Sequence, residues 1–95
     1  MIEILRFRLA PDADEESFLA ADAKVQSHFA YRQPGLLRRT TARDDNGGWV
    51  VIDLWQSNEN ADAAEALWGQ DPVTSAYMTF IDATSVQTER YTELD

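Results

Sequence analysis

Two carboxylates stand where the surrounding pattern asks for apolar side chains. In the run Phe18, Ala21, Val25, Phe29, helical spacing places Asp22 about 40° from Phe18, inside the apolar sector. A carboxylate there must be paired or protonated. Such a group is a candidate general base or an anchor for a substrate hydroxyl, with burial raising its proton affinity toward a useful range. The alternative is structural: a buried hydrogen bond or an arginine pair, which Gln26, one turn on, can join. Asp53 interrupts the run Trp49-Val-Val-Ile-Asp-Leu-Trp55. If the hairpin around Asn46 pairs symmetrically, Asp53 faces Arg39 in a cross-strand ion pair, and a slip of one residue would change that partner. An interface role is the alternative for Asp53. His28 is the only histidine and so the only side chain whose ordinary titration lies near neutrality. It is a second candidate base, although its place at the helix edge beside Gln26 and Ser27 also fits a plain surface histidine. Alone, it could hold a metal only with carboxylates or with a symmetry mate.

Phe18, Phe29, Trp68, Tyr77 and Phe80 recur on helical faces and are candidate walls of a pocket for a flat, apolar molecule. The same spacing suits ordinary core. Arg32, Arg38, Arg39 and Arg43 fall within twelve positions and are four of the eight basic residues. They could recognise an anionic substrate group, with Arg39 the candidate contact, or pair with the acidic excess. Asp44-Asp45-Asn46 lacks the further ligand spacing of a calcium loop and reads as a turn.

Composition narrows the chemistry. The 95 residues hold 17 Asp/Glu against 8 Lys/Arg, a formal charge of −9, with no cysteine. Disulfides, thiol catalysis and thiolate zinc sites are excluded. Nucleic acid is disfavoured, because phosphate binding needs a basic face. No apolar run approaches the ~20 residues of a membrane span. Glu3, Arg6 and Arg8 break the first residues, so no signal peptide is expected. The expectation is a single cytoplasmic domain over residues 1–95, without metal or nucleic acid.

The elements that must position these groups follow from periodicity. Ile2 to Leu9 alternates, with Leu5, Phe7 and Leu9 on one face and Ile4, Arg6 and Arg8 on the other. An acidic segment from Asp12 opens a helix that Pro34-Gly35 closes. Leu36–Arg43 and Trp49–Gln56 are strands joined by the Asp44–Gly48 turn. Both faces of the second are largely apolar, so it should be central. Ser57 and Asp71-Pro72 start two further helices. Ser85 to Leu94 reads as a last strand anchored by Val86, Tyr91 and Leu94. The order β-α-β-β-α-α-β predicts an α+β, ferredoxin-like split βαβ fold: a four-stranded antiparallel sheet with helices on one face. The bare face needs covering, and a homodimer through it is the simplest solution.

Pro34-Gly35-Leu36, the strand ending Trp55-Gln56-Ser57, and Trp68 followed by Asp71-Pro72 resemble the dimeric α+β barrel superfamily, in particular its antibiotic-biosynthesis-monooxygenase-like group. The resemblance spans nearly the whole chain. It implies a small monooxygenase-like enzyme acting on a small aromatic or polyketide-like molecule without a tightly bound cofactor. Asp22 or His28 would deprotonate a phenol or enol, Arg6 or Arg39 would hold the anion, and the ionised substrate would itself reduce dioxygen. A non-catalytic small-ligand or partner-binding dimer, and an isomerase or decarboxylase, are the other readings of the same fold. The haem-degrading branch implies a histidine on the later helix and an Asn on the first strand. Here Trp68 matches, Tyr77 stands near the histidine position and the Asn is missing, so haem is disfavoured.

Overall fold

A computed structural model describes all residues, Met1–Asp95. The elements run β1 (Ile2–Phe7), α1 (Glu15–His28), β2 (Leu36–Arg43), β3 (Trp49–Trp55), α2 (Asn58–Trp68), α3 (Pro72–Met78) and β4 (Gln87–Tyr91), with short 3-10 turns at Ala30–Arg32 and Ala83–Ser85. The sheet order is β2-β3-β1-β4, and every neighbouring pair is antiparallel. This is the α+β, ferredoxin-like arrangement that the periodicity predicts, with β3 and β1 central.

Local chemistry explains where the elements start and stop. The Asp14 carboxylate accepts from the Ser17 amide at 3.0 Å and caps α1, with Glu15 and Glu16 in its first turn. Ser57 and Asp71 cap α2 and α3 in the same way, and Pro72 opens α3. The hairpin is tied by Asp44, which accepts from the amides of Asn46 at 2.7 Å and Gly48 at 2.8 Å while Gly47 takes φ +82°. Gly35 needs φ +86°, and a Cβ there would collide with the Asn60 side chain. That close approach seats the start of α2 beside the start of β2.

The last strand is shorter than periodicity suggests. Asp82 and Ser85 tie Ala83–Ser85 into a turn, and β4 begins at Gln87. Of the expected anchors, Val86 faces the interior, whereas Tyr91 and Leu94 are exposed. No helix is long and apolar enough to cross a membrane.

The helix-side face of the sheet carries two apolar clusters. One joins Phe7, Phe18, Val25, Trp49, Val51, Tyr77 and Ile81; the other joins Trp55, Ala61 and Ala64. A cavity of about 510 Å³, lined from both clusters, lies between them. On the opposite face, Ile4, Val50, Ile52 and Leu54 have no helix over them, and Ile52 is exposed.

Candidate functional site

The register of the sheet builds the cavity floor. Arg39 on β2 faces Asp53 on β3, Asp53 faces Glu3 on β1, and Glu3 faces Arg90 on β4. All four line the cavity. A row of charges, in the order plus, minus, minus, plus, therefore crosses the whole sheet between rows of apolar side chains. The predicted pairing about Asn46 is the observed one.

The outer members of the row are engaged from the helices. Arg39 is 5 % exposed and donates through Nη2 to Oδ1 of Asp22 at 2.8 Å. Its Nη1 reaches Gln26 Oε1 at 3.4 Å, and Nη2 also reaches the Tyr77 hydroxyl at 3.4 Å. Thr41 donates to the same Asp22 oxygen at 3.1 Å. Tyr31 holds the backbone of Arg39, accepting from its amide at 2.8 Å just past the irregularity between Leu36 and Arg38. At the other edge, Arg90 donates to Glu3 at 2.8 Å and to Asp62 at 2.7 Å, and lies 3.6 Å from Glu65. Arg90 thus links β4 to β1 and α2.

Asp53 is left over. Arg39 is spent on Asp22, so the expected cross-strand ion pair does not form, and Oδ1 of Asp53 is buried with no hydrogen-bond partner. Burial drives its carboxyl up to about 6; Arg39 opposes the rise, while Glu3 and Asp22 add to it. A mostly buried carboxylate that titrates near neutrality beside an apolar cavity has the properties of a general base. The indole Nε1 of Trp55, two residues along the same strand face, is a second buried polar atom without a partner. Unpaired buried groups of this kind cost about 1–3 kcal/mol each.

The cavity walls are aromatic. Phe29 meets Trp68 edge-to-face at 5.4 Å, and Trp68 meets Tyr77 at 5.9 Å. Burial pushes the Tyr77 phenol well above its ordinary range, with Arg39 opposing, so it stays a neutral hydroxyl. No cluster of three or more histidine and carboxylate side chains could hold a metal ion.

The sequence-derived candidates separate accordingly. Phe29, Arg39, Trp68 and Tyr77 line the cavity. Phe18 does not: it is fully buried as the hub of the neighbouring core, 4.9 Å from Trp49, 5.2 Å from Tyr77 and 6.3 Å from Phe80. Phe80 likewise packs on that core rather than on the cavity. Asp22 is buried as its position in the apolar stripe demands, but its partner is Arg39 and it does not line the cavity. His28 is exposed, with Nδ1 near the Ser27 hydroxyl and the Lys24 carbonyl, because α1 turns that edge to solvent. Arg6 points to the bare sheet face, 3.7 Å from Glu89, so it cannot hold an anion in this cavity. Of the clustered arginines, Arg39 and Arg43 are paired, the latter with Glu15 at 3.0 Å. Asp53, which the strand pattern marked only for a cross-strand pair or an interface, joins the candidate site, together with Glu3, Arg90 and Trp55, to which sequence spacing gave no place in it. The available signal was a single acidic residue on the inward face of an otherwise apolar strand.

No protein-family model matches the chain, and no curated protein does. Solved structures do. SnoaB of Streptomyces nogalater, described as a cofactor-independent oxygenase, superposes with a TM-score of 0.80 at 22 % identity over 99 % of this chain and 92 % of that one. Rv0793 of Mycobacterium tuberculosis gives 0.71 at 19 % identity, covering 99 % and 94 %. A candidate antibiotic biosynthesis monooxygenase of Nitrosomonas europaea gives 0.72 at 15 % identity, covering 99 % and 98 %. At these identities the likeness is one of fold. The chain has the ferredoxin-like α+β fold of the antibiotic-biosynthesis-monooxygenase-like proteins, as the resemblance of its motifs implies.

Proposed function

We propose that this chain is a small oxygenase that acts on a phenol or enol without a tightly bound cofactor, with Asp53 as its general base. The observation that carries this reading is the unpartnered, mostly buried Asp53 carboxylate facing an apolar cavity of about 510 Å³. That volume suits a ring system of two or three fused rings. Phe29, Trp68 and Tyr77 would hold its faces. Asp53 takes the proton of the hydroxyl, and the negative charge passes from the carboxylate to the ligand, still within the field of Arg39. No net charge is created in the cavity by this step. The electron-rich carbon then transfers electrons to dioxygen and forms a carbon–oxygen bond as a peroxide. Asp53 returns its proton to the peroxide; the remaining hydrogen on that carbon is then lost as a proton, its electron pair forms the carbonyl, the O–O bond breaks, and the departing hydroxide leaves as water with that proton. One methylene and one dioxygen give one carbonyl and one water, so atoms and electrons balance. Asp22 acts as a positioning residue, since it holds Arg39 away from a direct pair with Asp53.

A homodimer through the bare sheet face is part of the same proposal. It is supported by the apolar row Ile4, Val50, Ile52 and Leu54, which the helices leave uncovered.

Anthrone, a tricyclic ketone whose enol is a phenol, tests the reaction. Dioxygen uptake should match anthraquinone formed one to one, above the rate of spontaneous oxidation. Asp53→Asn should lower kcat by about 100-fold or more, and the wild-type rate should rise with pH through about 6. Unchanged turnover in Asp53→Asn would overturn the assignment of the base. Binding of anthrone without dioxygen uptake would overturn the oxygenase reading.

A further inference from the structure

The exposed part of the cavity wall is confined to one side. Of the residues that line it, four are exposed: Asp62 and Glu65 on α2, and Thr88 and Arg90 on β4. The opposite end is shut by Phe29, Arg39 and Tyr77, each at most 5 % exposed. The mouth therefore lies between α2 and the edge strand β4, and one side chain spans it. Arg90 donates through Nε to Glu3 at 2.8 Å and through Nη1 to Asp62 at 2.7 Å, with Nη2 3.6 Å from Glu65. Exposure of these partners climbs outward, from 13 % for the Glu3 side chain to 64 % for Asp62 and 78 % for Glu65. The bond to the sheet is thus the shielded one, and the contacts with the helix are wet. Ion pairs in water contribute little and weaken with salt. Little else holds the middle of α2 down. Its ends are anchored, by the Ser57 cap with Asn60 against Gly35 at the start and by Trp68 on Phe29 and Tyr77 at the finish. Between them its buried residues are Ala61 and Ala64, which pack on Trp55. Two alanines bury far less apolar area than the leucines or phenylalanines of an ordinary inward helix face.

We propose that α2 is a gate over this mouth and that Arg90 is its latch. When the gate is closed, one guanidinium ties helix to sheet. When it opens, Arg90 stays on Glu3, its contacts with Asp62 and Glu65 break, and the helix rolls outward between its anchored ends. Opening costs two exposed ion pairs and the contact of two alanines. The inference rests on the cavity being the ligand site, but it concerns access and not turnover.

Hydrogen exchange at the tryptophan indoles, read by NMR, tests the gate without a ligand. Nε1 of Trp55 is buried and its ring packs on Ala61 and Ala64, so its exchange reports opening of α2. Trp49, buried in the neighbouring core, reports global unfolding. Asp62→Asn combined with Glu65→Gln alters only exposed side chains and leaves Arg90 on Glu3. Arg90→Lys keeps the charge but loses the fork that grips helix and sheet together. Relative to Trp49, Trp55 should exchange about three- to tenfold faster in both variants. Raising salt from about 0.1 to about 1 M should accelerate Trp55 in the parent and have no such effect in the double variant. An uncharged fluorescent probe of apolar cavities, N-phenyl-1-naphthylamine, followed by stopped flow, should both enter and leave the double variant faster, with Kd unchanged within about twofold. Equal exchange of Trp55 in parent and variants overturns the gate. So does acceleration in the double variant without any in Arg90→Lys, which would reflect the local charge alone. A bound probe that enters and leaves the double variant at parental rates overturns the position of the mouth. The exchange measurement decides the latch whether or not the probe binds, and failure of anthrone oxidation leaves every one of these outcomes intact.

Discussion

Replacing Asp53 by Asn should stabilise this protein at neutral pH while removing its proposed chemistry. The carboxyl is raised from 3.8 to about 6 in the folded chain, chiefly by burial. The folded state therefore holds this proton more tightly than the unfolded chain does. Its contribution is nearly neutral below 3.8, becomes a penalty as pH climbs through about 6, and is constant above that. At ~1.4 kcal/mol per pH unit the full penalty is about 3 kcal/mol. Asparagine has nearly the same shape and no charge, so Asp53→Asn should gain up to about 3 kcal/mol at pH 7.5 and under about 1 kcal/mol at pH 4. For a domain of this length that corresponds to roughly 10–20 °C in Tm at the higher pH. The assay is urea denaturation of both proteins at equal concentration across this pH range, reading the difference between them at each pH. The difference cancels the titration of the other carboxylates. A difference independent of pH, or a variant less stable than the parent at pH 7.5, would refute the placement of an unpaired carboxylate at this position.

Two further perturbations probe the rest of the structure. Arg39→Met strands the buried Asp22 carboxylate and should cost about 3–5 kcal/mol by urea denaturation, whereas pairing it with Asp22→Leu should recover most of that loss. Ile52→Arg places a charge in the middle of the bare apolar sheet face. It should lower the solution mass from dimer to monomer by analytical ultracentrifugation at micromolar concentration, and a parent chain that is already monomeric would refute the interface.

The stabilising effect expected of Asp53→Asn has a general counterpart. Groups poised for proton transfer are held in environments that folding alone would not choose, so activity and stability pull against each other at such positions. Here the cost is confined to one carboxylate. The other carboxylates held mostly out of solvent are paired, Asp22 with Arg39 and Glu3 with Arg90.

Much of this architecture could be read in the chain itself. Alternation set the faces of β1 and β3, caps at Ser57 and Asp71 set two helix starts, and the Asp44–Gly48 turn set the register that aligns Arg39 with Asp53. These are local properties, carried by side chains within a few positions of one another. The burial of Asp22 was equally legible, because a helical period places it among Phe18, Ala21 and Val25. Its partner was not. Strand register put Arg39 opposite both possibilities, Asp53 beside it in the sheet and Asp22 above it on α1, and only the packing of α1 over the sheet awarded the guanidinium to Asp22. That choice left Asp53 unpaired and moved the candidate base from a helix to a strand. The division of the five aromatic rings between core and cavity, and the capture of Arg90 by α2, were likewise tertiary outcomes. They depend on where residues far apart in the chain come to lie, which periodicity does not encode.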